Sequence, residues 1–269
     1  MNATVEIINK ERLLELYREH GMFACTCYDT SDKYAEKVGK SCNKDGHMSG
    51  SRTEYIKFRI YDIDRGIAEQ FMRHEIGVSY DEIDKYAYND KIEIMIDVNP
   101  DTIVKNMQSF RYVDKNEFTY TIPTNINNSV RGKVIFEDVM EYINKKRKEL
   151  RDVLIEDGID IKQAVEDANY ILPRATNLTL TIGFTPEALI HFMHKRLCVR
   201  SQDLAQKIAK LMKNEVKKVL PEFAEQLMPH CQHLLWCPEG ENMTCGAYPR
   251  KEQLKEIIRK GRMSNETSN

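Results

Sequence analysis

The stretch LTLTIGFTPEALIHFMHKRLCVR, residues 178–200, contains both kinds of regular secondary structure in one continuous run. Its first part, residues 178–182, is apolar and β-branched in a pattern typical of a strand. Thr185, Pro186 and Glu187 then follow as a helix N-terminus, with a capping hydroxyl, a proline in the first turn and an acid. The remaining residues have helical spacing, so this stretch predicts a strand that leads directly into a helix.

Helical patterns dominate the rest of the chain. The predicted helices cover residues 10–20, 32–44, 64–72, 134–154, 161–170, 185 to about 220, and 251–262. Asp32 is the predicted N-cap of the second helix, and Gly46 is its stop. Two further strands are predicted at 55–60 and 118–123. Because strands and helices do not alternate strictly, we predict an α+β fold rather than a doubly wound sheet.

The composition excludes several classes of protein. The 269 residues carry 40 basic and 42 acidic side chains, a net charge of -2, which disfavours a globally basic nucleic-acid binder. No apolar run approaches the roughly 20 residues of a membrane helix. No secretory signal is recognisable, and seven cysteines are an odd number for a disulfide framework. We therefore expect reduced thiols, a cytoplasmic location, and no nucleic-acid or membrane partner.

Residues 79–104 differ from their surroundings. They contain seven acids and two bases, a net charge of -5. Lys91 to Val98 alternates like a strand, and residues 99–101 read as a turn. We interpret this segment as an excursion from the main fold.

Familiar nucleotide-binding motifs are missing from the sequence. No Gly-x-Gly-x-x-Gly follows a strand, which argues against a dinucleotide-binding sheet. Gly39, Lys40 and Ser41 imitate the end of a phosphate-binding loop, but a helix rather than a strand is predicted before them.

Three segments nevertheless combine cationic and amide side chains. They are residues 70–74 (QFMRH), 106–112 (NMQSFRY) and 191–202 (HFMHKRLCVRSQ). Arginine offers a planar fork for phosphate or carboxylate, and His adds a further donor. Taken alone, the first segment also fits a solvated helix end and the second a polar turn. Together they predict a protein that binds nucleotides or other polyanionic cofactors.

Helical spacing places His191, His194 and Lys195 of the third segment on one face. A face that is cationic and also needs burial should require anions to satisfy it. No acid or cysteine completes a metal-ligand set on that face, so we expect no metal there.

Read in order, these segments resemble the flavin-dependent thymidylate synthase (ThyX) family over about Cys25 to Gly246. The matching segments are Cys27-Tyr28, Gly46-His47-x-Ser49-x-x-Arg52, Gln70-x-x-Arg73-His74, Asn106 to Tyr112, Glu166 to Pro173, His191 to Gln202, and the tail with Cys231, Cys237 and Cys245. The family signature is split by residues 79–104. An ungapped alignment would put Ile83 and Lys85 on its Ser and Arg positions, and we prefer Ser109 and Arg111.

The sequence departs from the family pattern at a few positions. Glu75 and Met107 replace usual signature residues, and Thr185 stands where Asn is common. Asn169 replaces an arginine that the family uses on the nucleotide, and Arg174 is the candidate substitute.

The resemblance implies a ThyX-like fold, an antiparallel sheet flanked by long helices. It forms a single domain over residues 1–246, with the acidic insertion at about 79–104, followed by a basic helix and tail at 247–269. It implies methylation of dUMP to dTMP, with methylenetetrahydrofolate as carbon donor, FAD as hydride carrier and NADPH as reductant. It also implies a homotetramer whose active sites are shared between subunits.

The resemblance assigns roles to individual residues. Arg196 would be catalytic, lying against the uracil. The FAD-binding positions would be His47, Ser49, Arg52, Arg73, His74, Glu75, Thr185 and His191. The substrate-binding positions would be Gln70, Arg73, Gln108, Ser109, Arg111, Asn169, Arg174 and Arg196.

Other readings stay open on the sequence alone. One is a diverged flavoenzyme acting on another pyrimidine nucleotide, and another is a non-catalytic nucleotide-binding relative. A zinc site in the tail, using His230, Cys231, His233, Cys237 and Cys245, is disfavoured because no Cys-x-x-Cys pair is present.

Overall fold

A computed structural model of the protein describes residues 3–74, 103–111 and 118–266. These residues belong to two compact units, each assembled from two stretches of chain. The first unit consists of Met1–Asn9 and Tyr55–Thr185, and the second of Lys10–Glu54 and Pro186–Asn269. The predicted boundary at residue 246 does not coincide with this division and stays a prediction.

The first unit is built on a four-stranded antiparallel sheet in the order β1-β2-β4-β3. The strands are β1 (Thr4–Ile7), β2 (Ile56–Asp64), β3 (Ile103–Met107) and β4 (Asn177–Phe184). Alternation along β2 buries Ile56, Phe58 and Ile60, while Lys57 and Arg59 stay partly exposed. The predicted α+β class with an antiparallel sheet is confirmed.

A bulge near the end of β2 precedes the helix that follows this strand. The register against β4 shifts between Ile60 and Ile63, and Asp62 adopts a left-handed φ of 52°. The chain beyond the bulge ends at Asp64, whose Oδ1 accepts a hydrogen bond from the amide of Ile67 at 3.0 Å. This N-cap starts α4 (Arg65–Met72), which confirms the helix predicted at 64–72.

β3 is an edge strand paired with β4, from Ile103 opposite Phe184 to Met107 opposite Leu180. Residues 103 and 104, which the sequence analysis placed in the acidic excursion, therefore belong to the main sheet. The rest of that excursion, including the strand predicted at 91–98, lies outside the described residues.

The strand predicted at 118–123 is wrong. This segment makes one isolated bridge, Tyr120 opposite Thr176, and it ends at Pro123, which has no amide hydrogen to donate. Its side chains instead form a small core in which Phe118, Met140 and Leu172 are buried.

The first unit also contains one long helix. The helices of this region are α5 (Thr124–Asn127), α6 (Val130–Glu156) and α7 (Ile161–Ala168), with a 3₁₀ turn at Asn169–Ile171. The predicted helices at 134–154 and 161–170 are confirmed. Only Met140 and Arg147 of α6 are buried, whereas Val134, Ile135 and Tyr142 are exposed. The amphipathic pattern of α6 therefore leaves a largely uncovered apolar face.

The second unit begins with helices that sequence reasoning placed only in part. They are α1 (Lys10–Leu13), α2 (Leu16–Cys27) and α3 (Ala35–Lys44). The single helix predicted at 10–20 is thus two, and the second runs on to Cys27. Asp32 is not the N-cap of α3, because it lies inside a preceding 3₁₀ turn, Asp32–Tyr34. Gly46 has a left-handed φ of 80°, which supports its predicted role as a helix stop.

Two glycines set the distance between α2 and α3. A Cβ on Gly21 would lie 1.6 Å from the carbonyl oxygen of Ala35, and one on Gly39 would lie 1.8 Å from that of Tyr17. Gly39, Lys40 and Ser41 therefore form part of a packed helix, which confirms that they are not a phosphate-binding loop.

The remaining elements of the second unit are helical. They are α8 (Pro186–Arg196), α9 (Asp203–Val219), α10 (Pro221–Ala224), α11 (His230–Leu234) and α12 (Lys251–Glu266). The predicted helix start at Thr185 to Glu187 and the helix at 251–262 are confirmed, and the helical stretch predicted to about residue 220 is divided into α8 and α9. Within the described parts of the chain, no helix has the length and apolar character to cross a membrane.

The glycine contact between α2 and α3 makes a testable prediction. On helix propensity alone, Gly39→Ala should stabilise α3. Because the added methyl would meet backbone rather than a movable side chain, we expect the free energy of unfolding to fall by about 2 kcal/mol or more. Chemical denaturation measures it, with Lys37→Ala on the exposed side of α3 as control. A Gly39→Ala protein as stable as the control would contradict this packing.

Candidate functional site

A cavity of about 600 Å³ lies within the first unit. That volume is in the range of pockets that hold small organic ligands. Its polar lining consists of Arg65, Gln108, Ser109, Arg111, Glu166 and Asn169. Four of these, Gln108, Ser109, Arg111 and Asn169, were predicted from sequence to bind substrate. The structure therefore brings together residues that lie about 60 positions apart in the chain.

Sheet hydrogen bonds fix where this cavity begins. Just beyond β3, the amide of Gln108 donates to the carbonyl of Thr179 at 2.9 Å, and Oε1 of Gln108 accepts from the amide of Thr179 at 3.2 Å. Ser109 and Arg111 follow in a turn, where Oγ of Ser109 accepts from the amide of Arg111 at 3.1 Å. The four residues 108–111 therefore leave the sheet edge in a defined conformation.

The two arginines of the cavity contact other residues of its lining, one an acid and the other an aromatic ring. Nε of Arg111 lies 2.8 Å from Oε2 of Glu166 on α7. Arg65, the first residue of α4, places its guanidinium 5.5 Å from the ring centre of Phe110. Because Arg111 is 59% exposed, an anionic ligand can reach it and compete with Glu166.

A hydrogen-bonded pair lies beneath the same turn. Asn169 is buried and donates from Nδ2 to the carbonyl of Phe110 at 2.6 Å. Oδ1 of Asn169 accepts from Nη1 of Arg147 at 3.1 Å. Asn169 therefore connects this cavity to the inner face of α6.

Other predicted residues of the first unit lie outside this lining. Arg174 packs its side chain against Gly66 and faces the carboxylate of Asp64, and its role as a substitute for the missing arginine stays a prediction. Gln70 is partly buried on α4. Thr185 is buried at the end of this unit.

The end of α4 carries the predicted pair Arg73 and His74. Arg73 is exposed and lies 3.9 Å from Glu69. His74 is buried, and its carbonyl accepts from Nζ of Lys105 at 2.8 Å, as does that of Met72. A cation at a helix C-terminus satisfies the last carbonyl groups. Glu75, predicted to bind the cofactor, lies outside the described residues.

Sequence reasoning did not single out Arg65 and Glu166, which line the cavity, or Arg147, which donates a hydrogen bond to Asn169 behind it. Glu166 stood in a quoted motif, and its three-residue spacing from Asn169 on a helix would place both on one face. Arg65 and Arg147 carry no local signal, because each reaches the cavity region only through tertiary packing.

In the second unit, Arg52 anchors the predicted cofactor loop to α8. Nε of Arg52 donates to Glu187 at 2.6 Å, in the first turn of that helix. Ser49 and Arg52 share a 3₁₀ turn, and His47 lies exposed just before it. The guanidinium of Arg52 is 60% exposed, so it can still reach a ligand.

His194 of α8 forms a stack with the two histidines of α11, His230 and His233. The ring of His194 lies 4.6 Å from that of His230 and 5.2 Å from that of His233. Burial, and then the neighbouring His230, lowers the pKa of His194 to about 4. Burial and Lys195 likewise lower the pKa of His191. The lowered pKa values favour the neutral imidazole at both positions, so the expected need for anions on this face stays a prediction that rests on Lys195.

Arg196 is the last residue of α8. Its guanidinium lies 5.9 Å from the ring centre of Phe192, and burial lowers its pKa. A half-buried guanidinium of this kind acts in a medium of lower dielectric constant than water, where its charge has a stronger effect.

A second, smaller cavity lies next to the histidine stack. It is lined by Cys198, Cys231, Cys237 and Cys245, all with free thiols, together with Lys195 and Arg200. Among the described residues, no three His, Cys, Asp or Glu side chains are arranged so that they could hold a metal ion. The zinc site considered for the tail gains no support from this geometry.

The fold and the first cavity define a class of protein: an α+β binder of an anionic ligand that also has polar groups. The family model described as thymidylate synthase complementing protein matches residues 17–222. The chain belongs to this family.

Curated relatives named flavin-dependent thymidylate synthase match most of the chain. The protein of Nitratidesulfovibrio vulgaris is 30% identical over 209 residues, 78% of this chain and 75% of that relative. The protein of Clostridium tetani is 29% identical over 237 residues, 84% and 83% of the two chains. The protein of Thermococcus onnurineus is 27% identical over 220 residues, 79% and 76% of the two chains.

The histidine stack predicts an acid-sensitive second unit. The unfolded chain takes up a proton on His194 near pH 6.5, whereas the folded chain does so only near pH 4. Between these values the unfolded state binds more protons, so stability falls as the pH is lowered through this window. We expect the Tm of the wild type to fall more steeply there than that of His194→Phe, which keeps a ring against His230. Scanning calorimetry measures both, and parallel losses of Tm would contradict the pKa assigned to His194.

Proposed function

We propose that this chain is a flavin-dependent thymidylate synthase, which methylates dUMP to dTMP with methylenetetrahydrofolate, FAD and NADPH. The observation that carries the proposal is the cavity of the first unit. There, Gln108, Ser109, Arg111 and Asn169, from two separate family segments, converge on one space of ligand size. Membership of the thymidylate synthase complementing family supports the same activity.

The cavity offers the contacts that dUMP needs. Ser109 and Arg111 would hold the phosphate, since a hydroxyl and a guanidinium both donate to phosphate oxygens. Arg111 would either leave Glu166 to bind the phosphate or contact both groups at once. The amide of Gln108 and the cation of Arg65 complete a polar wall around the nucleotide.

The residues proposed for FAD fit a diphosphate cofactor in their chemistry. Arg52 and Arg73 each present a guanidinium that is at least 60% exposed. Burial lowers the pKa of His191 and so favours its neutral imidazole. A neutral side chain suits the flat flavin ring, because no charge has to be desolvated when the flavin binds. His47, Ser49, His74, Glu75 and Thr185 complete the proposed set. When bound, the flavin supplies the hydride that the methylation consumes.

Arg196 is the proposed catalytic residue. The chain supplies no nucleophile for this reaction in our proposal, so its task is to bind and polarise. A guanidinium held near uracil would stabilise negative charge that develops on the ring. Burial strengthens that effect, and the lowered pKa of Arg196 reflects the same desolvated surroundings.

We propose a homotetramer with active sites shared between subunits. The uncovered apolar face of α6 supports it, with Ile135 62%, Val139 45% and Tyr142 62% exposed. Exposed apolar side chains in a continuous row typically mark an interface. Residues 1–246 would form the catalytic domain, and 247–269 the C-terminal helix and tail.

The activity is tested by tritium release from [5-³H]dUMP with FAD, NADPH and methylenetetrahydrofolate. We expect turnover by the wild type and a loss of about 100-fold or more in Arg196→Ala, the size seen when one charge-stabilising donor is removed. Arg200→Ala, an exposed arginine in the segment after α8, is the matched control. No release by wild type carrying bound FAD would refute the proposed reaction, and full turnover by Arg196→Ala would refute the role of Arg196.

The split signature is tested by substrate affinity. Ser109→Ala and Arg111→Ala each remove a proposed phosphate contact, so each should raise the KM for dUMP, Arg111→Ala by about tenfold or more. Ile83→Ala, at the position favoured by the ungapped alignment, should change it little. If Ile83→Ala has the larger effect in steady-state assays, the alignment through Ser109 and Arg111 is wrong.

A further inference from the structure

Arg147 occupies an unusual position on α6. It has 0% exposure and heads the largest fully buried side chains among the described residues. A guanidinium is costly to bury unless its N–H groups are hydrogen-bonded, so its place inside the protein requires a reason. Lys146, its neighbour on the same helix, is instead exposed and pairs with Glu149 at 2.8 Å.

One hydrogen bond of Arg147 leads toward the substrate cavity. Its Nη1 donates to Oδ1 of Asn169 at 3.1 Å, and Nδ2 of Asn169 donates to the carbonyl of Phe110 at 2.6 Å. Phe110 stands between Ser109 and Arg111, the two residues proposed to hold phosphate. We call these three groups the Arg147–Asn169–Phe110 relay.

The chemistry of the relay gives it one orientation. A guanidinium has donors only, so it must face the oxygen of the Asn169 amide. The amide nitrogen must then point to the opposite side, where the carbonyl of Phe110 accepts. Arg147 and the carbonyl of Phe110 therefore select the same orientation of the amide, and removal of Arg147 takes away one of the two contacts that hold it.

The relay supports the turn at its centre. Gln108 is held to β4 on one side of the turn, and Arg111 contacts Glu166 on the other. The bond from Asn169 fixes the residue between them, and the ring of Phe110 also packs against the small core under α6. Protein groups that are already held in their binding conformation bind a ligand more tightly, because less conformational freedom is lost on binding.

We propose that Arg147 is a positioning residue for substrate binding, and that it acts through Asn169 on residues 108–111. The identity of the ligand rests on the proposed function, whereas the relay itself rests on the geometry. Arg147 does not line the cavity, so its effect on the ligand is indirect.

The first test is dUMP binding to the FAD-loaded protein, measured by titration calorimetry. Arg147→Met should weaken dUMP binding about tenfold, the size of one charge-assisted hydrogen bond. Arg147→Lys keeps a donor and should restore most of the affinity. Lys146→Met removes an exposed cation from the same helix and should leave affinity unchanged. Wild-type affinity in Arg147→Met would overturn the proposal.

A double-mutant cycle with Asn169→Ala separates positioning from general loss of structure. If Arg147 acts through Asn169, then Arg147→Met should cost nothing further in the Asn169→Ala background. Additive losses would overturn the relay. Where Arg147→Met does not fold, the same cycle is run with Arg147→Lys, whose cost of about threefold should likewise vanish once Asn169 is absent.

Kinetics provide a readout that a purely structural role would not give. Arg147→Met should raise the KM for dUMP while kcat changes less than about threefold. The outcomes for relay and reaction are distinguishable. If dUMP binds with the expected pattern but no dTMP forms, the proposed function fails and the relay stands. If dTMP forms and Arg147→Met has wild-type KM, the relay fails and the function stands.

Discussion

The pairing of β3 with β4 is the constraint on which the proposed substrate site depends. Met107 lies opposite Leu180, and the ladder continues through the amide of Gln108 to the carbonyl of Thr179. A slip of one residue would turn every side chain of β3 to the other face of the sheet. The ladder therefore decides that Ser109 and Arg111 leave the sheet beside α7, where Glu166 and Asn169 meet them.

Ionisable groups are accommodated in two ways in this protein. Some are paired with an opposite charge, as Arg111 is with Glu166 and Arg52 is with Glu187. On α8, burial instead lowers the pKa of His194, which stacks on His230 and so favours its neutral imidazole. Arg196 of the same helix differs, because guanidinium stays protonated even where burial lowers its pKa. A fixed positive charge in partly desolvated surroundings is what the proposed catalytic role requires.

Much of this could be predicted from the sequence, for identifiable reasons. The long helix at 134–154 and the strand leading into α8 were predictable because periodicity and capping residues act locally. The pairing partner of residues 103–107 was not, because it depends on contacts distant in sequence. The strand expected at 118–123 does not form, because Pro123 and the packing of Phe118 against Met140 and Leu172 outweigh local β-propensity.

The site residues also divide into those with a local signal in the sequence and those without one. Gln108, Ser109, Arg111 and Asn169 were found because they lie in short motifs, and the structure places them in one cavity. Arg147 was invisible to that reasoning, since nothing in its neighbourhood distinguishes it from the exposed cations of α6. The lowered pKa values of His191 and His194 could not be predicted either, because they depend on burial, which tertiary packing decides.

The proposed function requires that one cavity holds dUMP through Arg111 in a protein that carries a flavin. The decisive experiment is the absorption spectrum of the FAD-loaded protein during a titration with dUMP. We expect a saturable change in the flavin bands, and Arg111→Ala should need about tenfold more dUMP to reach the same change. A protein that takes up no flavin, or a flavin spectrum that dUMP leaves unchanged, would contradict it.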